Sequence, residues 1–264
     1  MKPSSEASPT LRLAYLYPEV MNLYADRGNV MTLAKRCAWR DIALKIDEVA
    51  VDETLEPQAY DMIFIGGGQD REQRLIAPDL LKNKAALERM AASGVVMLAV
   101  CGGFQLFGRV YRPAQGEAIE GIGVLDMETV SGNKRLIGNV VIDSMLDDFN
   151  GTLVGFENHS GKTYLGPKAR ALGKIIHGNG NNAEDGLEGA TQGNVFGTYL
   201  HGSLLPKNPA FADHLITLAL KRRYPDYSLL PLDDSLENAA HVAAIERTRQ
   251  VGRSSRLPQW LRRF

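Results

Sequence analysis

Short apolar runs punctuate the first hundred residues of the chain. Leu11–Tyr17 (LRLAYLY), Ala43–Val49, Asp61–Ile65 (DMIFI) and Val95–Val100 (VVMLAV) each read as a strand. The two later runs show little polar alternation, which suits strands buried on both faces of a parallel sheet. Between them, Val30–Trp39 and Ala77–Ala92 have helical content, and Met21–Asn29 is a loop holding Asp26-Arg27-Gly28. The order β-α-β-α-β predicts an α/β layer structure: a mostly parallel, twisted sheet flanked by helices.

The pattern changes in the second half. Ile122–Val130, Arg135–Asp143, Leu153–Asn158 and Lys174–His177 read as short strands separated by turn residues. Gly178–Asn182 (GNGNN) reads as a loop tip, because glycine and asparagine tolerate positive φ. Asn194–Leu200 (NVFGTYL) is a further strand. Pro209–Arg222 is an amphipathic helix with Phe211, Leu215, Leu218 and Ala219 on one side. Pro231 introduces a last helix over about 236–250. No repeat or linker divides the chain, so residues 11–250 are expected to form one domain. A polar, frayed N-terminal tail (1–10) and a basic C-terminal tail (251–264) flank it.

Composition narrows the classes. The chain has 264 residues, of which 44% are hydrophobic, and 30 basic against 31 acidic side chains give a net charge of −1. That balance removes the electrostatic case for a nucleic-acid partner. No apolar run of 18 residues exists, so no transmembrane segment is expected, and MKPSSEASPT lacks the apolar region of a secretory signal. Two cysteines, Cys37 and Cys101, cannot build a disulfide framework or a four-cysteine zinc site. The expected setting is the reducing cytoplasm.

The sharpest feature is Leu98-Ala99-Val100-Cys101-Gly102-Gly103-Phe104-Gln105. An apolar strand runs into a cysteine, two glycines and a helix, which is the context of a nucleophile elbow. The helix N-terminus favours thiolate over thiol, and the Gly102 amide is placed to donate to an oxyanion. The bland alternative is an inert buried cysteine ending a core strand. A thiolate needs a base. His201 closes the strand NVFGTYL and precedes Gly202, and the C-terminal strand ends of a parallel sheet share one edge, so Cys101 and His201 are expected to face each other. His214 and His241 read as surface residues and His177 as loop, while His159 belongs to a polar cluster, Glu157-Asn158-His159-Ser160-Gly161. Gly66-Gly67-Gly68-Gln69-Asp70 ends the strand DMIFI. No Lys-Ser/Thr follows it and it lacks G-x-G-x-x-G spacing, so a second oxyanion donor fits better than a phosphate cradle. No metal-ligand spacing is visible. Cys37, in a helix beside Trp39, reads as packing.

The elbow VCGGFQ, the strand end GTYLHG and the loop IGGGQD resemble class I glutamine amidotransferases, in the cobyric-acid-synthase-like (CobB/CobQ-like) branch. The resemblance runs from about Leu11 to Arg223. Within that branch, Asn22–Asn29 (NLYADRGN), the cluster ENHSG and Lys134–Asn139 (KRLIGN) resemble the glutaminase subunits that serve lipid II amidation. The resemblance implies a glutaminase in which Cys101 attacks the side-chain amide of L-glutamine and His201 shuttles the proton. Amides from Gly67, Gly68 and Gly102 would hold the oxyanion, Arg135 would hold the α-carboxylate, and Asn158 and His159 would line the pocket. It also implies a separate partner, a MurT-type, Mur-ligase-like synthetase subunit. That partner would use ATP and Mg to amidate the D-glutamate of lipid II to D-isoglutamine, and this chain itself would carry no cofactor. No Walker motif is present, so the synthetase would be another polypeptide. The arginine-rich tail with Trp260, Leu261 and Phe264 is expected either to touch that partner or to be a solvated basic tail.

Two departures from the family pattern stand out. Ala99 replaces a common glycine two residues before the cysteine, and Ser203 stands where an acid usually follows the histidine. A Cys–His dyad is workable without the acid, and Asp70 is a thin candidate for orienting His201. The competing readings are an amidotransferase subunit serving a cobyrinate-type or other synthetase, cleavage of γ-glutamyl bonds by the chain itself, and a non-catalytic α/β interaction module.

Overall fold

The computed structural model of the chain describes residues 8–254. Most of the expected N-terminal tail and residues 255–264 of the basic C-terminal tail lie outside that range. The first sheet has six strands in the order β11-β12-β4-β3-β1-β2. In chain order these are β1 (Thr10–Leu16), β2 (Ala43–Val49), β3 (Met62–Ile65), β4 (Val96–Val100), β11 (Ala190–Gln192) and β12 (Val195–Thr198). All pairings are parallel except β11 with β12. Every residue of β3, β4 and β12 is buried, which explains their unbroken apolar composition. Three helices cross over within this half: α1 (Arg27–Ala38), α2 (Asp70–Lys82) and α3 (Lys84–Ala92).

The helix expected over 77–92 is two helices with an earlier start. Asp70 and Glu72 occupy the first turn of α2, where acids complement the helix dipole, and the Gln69 N–H donates to Glu72. The break falls at Asn83, whose side chain accepts from the Leu55 N–H (2.9 Å) and donates to the Glu53 carbonyl (3.1 Å). Cys37 lies fully buried on α1, as packing requires, and Trp39 beside it is half exposed.

The second sheet is built on a long antiparallel pair, β7 (Met127–Ser144) and β8 (Thr152–Leu165). Around it lie β5 (Val110–Arg112), β6 (Ile119–Glu120), β9 (Gly173–His177) and β10 (Leu187–Glu188), in the order β10-β9-β7-β5-β6, with β8 pairing β7 off that path. The strands expected over 135–143 and 153–158 are pieces of β7 and β8, that over 174–177 is nearly all of β9, and of the one expected over 122–130 only 127–130 is strand, at the start of β7. The turn signal Gly132-Asn133 marks a bulge instead: Ser131 pairs Gly161 and Leu136 pairs His159, so residues 132–135 stand opposite Ser160 alone. The segment 178–182 is not a free tip. Asn181 and Asn182 are buried, and Asn181 exchanges two hydrogen bonds with the Gly189 backbone. His177 ends β9 instead of lying in a loop.

The remaining helices are α4 (Gly102–Phe107), α5 (Leu204–Lys207), α6 (Pro209–Arg223) and α7 (Ser235–Ser254). Helix α6 buries Phe211, Leu215 and Ala219 as expected, while Leu218 is only partly covered. His214 and His241 are not loose surface groups. His214 packs between Phe149, Phe196 and Phe211, and His241 bonds Thr152 Oγ1 (3.0 Å) and the Lys207 carbonyl (2.7 Å). Arg36 is nearly sealed, forking onto Asp213 and Asp234, and so ties α1 to α6 and to the approach of α7. Among the described residues no helix is long and apolar enough to cross a membrane.

Candidate active site

Three adjacent parallel strands deliver the three parts of the site. In register, Ile65 of β3 faces Ala99 of β4, and Val100 of β4 faces Thr198 of β12. Gly66–Gly68, Cys101 and Tyr199–His201 therefore leave the sheet side by side at its C-terminal edge. Cys101 sits between β4 and α4 at φ 52° and ψ −108°, the strained geometry of an elbow that lifts a side chain off the sheet. Its N–H donates to the Thr198 carbonyl (2.9 Å) and its carbonyl accepts from Gln105 N–H (3.0 Å). Ala99 is accommodated within β4 without a positive φ. The two glycines that follow are steric necessities. A Cβ on Gly102 would lie 2.4 Å from the Gly68 carbonyl oxygen and 2.8 Å from its nitrogen. The Gly68 and Gly102 backbones thus run against each other beside the cysteine.

Cys101, Gly68, Arg135, Asn158 and His159 meet around one cavity of about 270 Å³, with Gln73, Gln105 and Tyr111 completing its polar wall. That is below the range of drug-sized pockets and suits a ligand of amino-acid size. His201 does not line it and is fully buried. The histidine is fixed by its backbone, which exchanges two hydrogen bonds with Phe156 of β8 (3.0 and 3.1 Å), joining the two sheets at this point. Arg135 rides the bulge of β7 and its Nε donates to Asn158 Oδ1 at 2.5 Å. Gly67 takes a different part from the one sequence suggested: its N–H is already bonded to Asp26 Oδ2 at 2.7 Å. Asp70 accepts from the Tyr111 hydroxyl (2.9 Å), and Glu157, the last of the named influences on His201, acts against its burial. Ser203 donates to the Ala25 carbonyl (2.6 Å).

Several contributors were not singled out from sequence. Gln73 donates to the Gly68 carbonyl (3.2 Å) and to Gln105 Oε1 (2.9 Å), and Gln105 donates to the Tyr199 hydroxyl (3.1 Å). The Tyr199 ring stacks on His159 with centroids 3.5 Å apart. Glu157 is buried and accepts from the Asn179 backbone and side chain and from the Gly180 N–H. Gln105 stood in the elbow motif and Tyr199 in the strand motif, so both carried a signal; Gln73 carried none.

Burial dominates the electrostatics. It pushes the Cys101 thiol up to about 12, with the nearby Asp26 charge adding to it and the Gly102 N–H and Arg135 opposing. It pushes His201 down to about 4, with His159, Lys207 and Arg135 acting in the same direction. Glu188, which accepts from Thr198 Oγ1 and the Tyr199 N–H, is raised by burial to about 7. Both shifts favour the uncharged thiol and the uncharged imidazole. Among the described residues no group of three or more His, Cys, Asp or Glu side chains is arranged to hold a metal ion.

Cys101 at a strained elbow, the glycine loop packed against it and the buried His201 on the next strand thus share one edge of the sheet. The family model of the CobB/CobQ-like glutamine amidotransferase domain matches residues 12–209, and the chain belongs to that family. It is 41% identical to the GatD subunit of lipid II isoglutaminyl synthase (glutamine-hydrolyzing) from Streptococcus pneumoniae, over 84% of this chain and 85% of that one. It is 38% identical to the Staphylococcus aureus GatD subunit, over 92% and 98%. A probable cobyric acid synthase of Methanothermobacter thermautotrophicus is 31% identical, but the match spans only 48% of that longer protein. The glutaminase domain of Trypanosoma brucei CTPS, solved with bound acivicin, shares the fold at a TM-score of 0.50 and 12% identity, over 83% of this chain and 96% of that one.

Proposed function

We propose that the chain is the glutaminase subunit of a cytoplasmic lipid II isoglutaminyl synthase. In this reading L-glutamine enters the 270 Å³ cavity, and Arg135, braced by Asn158, receives its α-carboxylate through a guanidinium fork. His201 takes the thiol proton as Cys101 Sγ bonds the side-chain carbonyl carbon, and the carbonyl electron pair moves onto oxygen. The Gly68 and Gly102 amides hold that oxyanion. His201 then protonates the departing nitrogen, the C–N bond breaks and ammonia leaves. Water hydrolyses the thioester, returning glutamate and the free thiol. General acid–base help of this kind contributes about 10²–10⁴-fold.

The observation that carries the destination is coverage: the likeness to GatD spans nearly the whole of both chains, whereas that to cobyric acid synthase spans less than half of the longer one. Ammonia would pass to a separate Mur-ligase-like, MurT-type subunit, where ATP and Mg would activate the D-glutamate of lipid II. The test is ammonia release from glutamine by the purified chain, alone and co-expressed with a Mur-ligase-like protein, with Cys101→Ser as control. Cysteine-dependent release, together with ATP-dependent D-isoglutamine formation in the mixture, supports the proposal. Release that survives Cys101→Ser overturns the nucleophile assignment. Cysteine-dependent release that never yields isoglutamine overturns the destination.

A further inference from the structure

Asp26 is fully buried, yet it lies in a loop ahead of α1. As the residue preceding the helix it would ordinarily cap the first turn, but its side chain makes no capping bond. Its Oδ2 instead accepts the Gly67 N–H at 2.7 Å, across 41 residues of sequence. The Gly67 carbonyl accepts from the Leu23 N–H (3.1 Å), so residues 23–26 grip this one glycine from both sides. A Cβ on Gly67 would stand 3.2 Å from Asp26 Oδ2 and 3.3 Å from the Cys101 Cβ. Carboxyl, glycine loop and nucleophile are thus packed at one point. The same segment reaches the histidine loop: the Ala25 carbonyl accepts from Ser203 Oγ (2.6 Å), and Asn29 Oδ1 accepts from the Leu205 N–H (2.8 Å).

We infer that Asp26 is a positioning residue for amide hydrolysis: its carboxyl pins the Gly67 peptide so that the next amide, Gly68 N–H, stands beside that of Gly102 as the second oxyanion donor. The inference rests on the reading of Cys101 as nucleophile. It gives the segment NLYADRGN a physical role, that of clasping the glycine loop and the histidine loop to each other. A carboxyl is suited to it because a buried acceptor of this length fills the space under Gly67 and tolerates no slack.

The test is steady-state glutamine hydrolysis by the full chain with its co-expressed synthetase subunit, for Asp26→Ala and Asp26→Asn. The alanine variant is expected to lose about 10²-fold in kcat, the usual cost of one oxyanion donor, with the glutamine KM changed less than about threefold. The asparagine variant keeps an oxygen for the Gly67 N–H and is expected to regain most of that rate, to within about tenfold of wild type. Glutamate γ-semialdehyde, which adds the Cys101 thiol to give a tetrahedral adduct, should lose affinity in step with kcat while KM stays put. Should Asp26→Ala not fold, Asp26→Glu replaces it, since the extra methylene displaces the same peptide; a kcat loss at constant KM supports the inference and an unchanged kcat overturns it. It is also overturned by an alanine variant with wild-type kcat, by a loss confined to KM, or by an asparagine variant as slow as the alanine one. A fully active Cys101→Ser would instead overturn the nucleophile reading beneath it.

Discussion

Gly102→Ala puts the geometry beside the nucleophile to a quantitative trial. The added methyl would lie 2.4 Å from the Gly68 oxygen, 2.8 Å from the Gly68 nitrogen and 3.1 Å from Gln73 Nε2. The first two contacts are backbone, so no side-chain rotation relieves them. Restoring van der Waals distance requires the two loops to part by nearly an ångström. Overpacking of this kind costs about 1–3 kcal/mol, which for a chain of this size lowers Tm by about 2–12 °C. The effect on rate is larger, because misplacing reacting groups by ~1 Å is worth about 10²-fold and the two amides are the oxyanion donors of the proposed mechanism. We expect kcat to fall by about 10²–10³-fold with the glutamine KM nearly unchanged. Ammonia release measured alongside a thermal melt separates the two effects. Gly138→Ala, where an added Cβ meets nothing within 4 Å, is the control for glycine replacement as such. A Gly102→Ala enzyme that folds with wild-type kcat would refute the reasoning, because the oxyanion then cannot lie between these amides.

Three further outcomes are expected. Arg135→Lys keeps the charge but loses the planar fork, so the glutamine KM should rise about 10–100-fold while kcat moves only a few fold; an unchanged KM would remove Arg135 from the substrate contacts. Because burial holds the Cys101 thiol near 12, its alkylation by iodoacetamide, followed at that residue by mass spectrometry, should climb about tenfold per pH unit from 7 to 10, and a plateau near neutrality would mean a preformed thiolate. Burial raises the Asp26 carboxyl from 3.8 to about 7, so the stability linked to its protonated form is complete below pH 3.8 and gone above about 7; Asp26→Asn should therefore be more stable than wild type at pH 8, by at most about 4 kcal/mol, with the gap narrowing toward pH 4. A gap in urea melts that is the same at both ends would show that folding does not raise the carboxyl's pKa.

The parts of the site that sequence reveals are those whose signal is local. The run VMLAV followed by Cys-Gly-Gly announces a buried strand and an elbow, because both the burial and the close backbone approach are written into adjacent residues. NVFGTYL followed by His201 announces a second strand end in the same way. Nothing local encodes that Thr198 stands beside Val100. Asp26 was hidden for a related reason: a loop aspartate ahead of a helix has an ordinary use as a cap, and only the fold shows the carboxyl spent on a glycine 41 residues away. Gly132-Asn133 misled because turns and bulges draw on the same residues, and the choice between them is made by a partner strand. His214 and His241 read as surface groups because nothing local in their helices names a partner, while their neighbours come from Phe149, Phe196, Thr152 and Lys207.

The electrostatic state of the site constrains how such an enzyme must work. Asp26 and Glu188 are both raised to about 7, Cys101 to about 12, and His201 is lowered to about 4, with burial the first cause in each case. All four shifts favour the neutral form. A thiolate–imidazolium pair formed in advance would have to overcome that burial with no substrate present. In the proposed mechanism charge is instead generated during attack, when the thiol proton would move to His201 and the new negative charge would land on the substrate oxygen, between the Gly68 and Gly102 amides. The fixed dipoles then meet charge only as it develops, which makes them worth more in the transition state than in the resting enzyme. Glu157, buried and held by Asn179 and Gly180, works against the burial of His201, as the smallest of the named influences on it. The catalytic demand therefore shifts from acidity of the thiol to placement of the amides, which is why the glycine loop is clasped so tightly from outside the sheet.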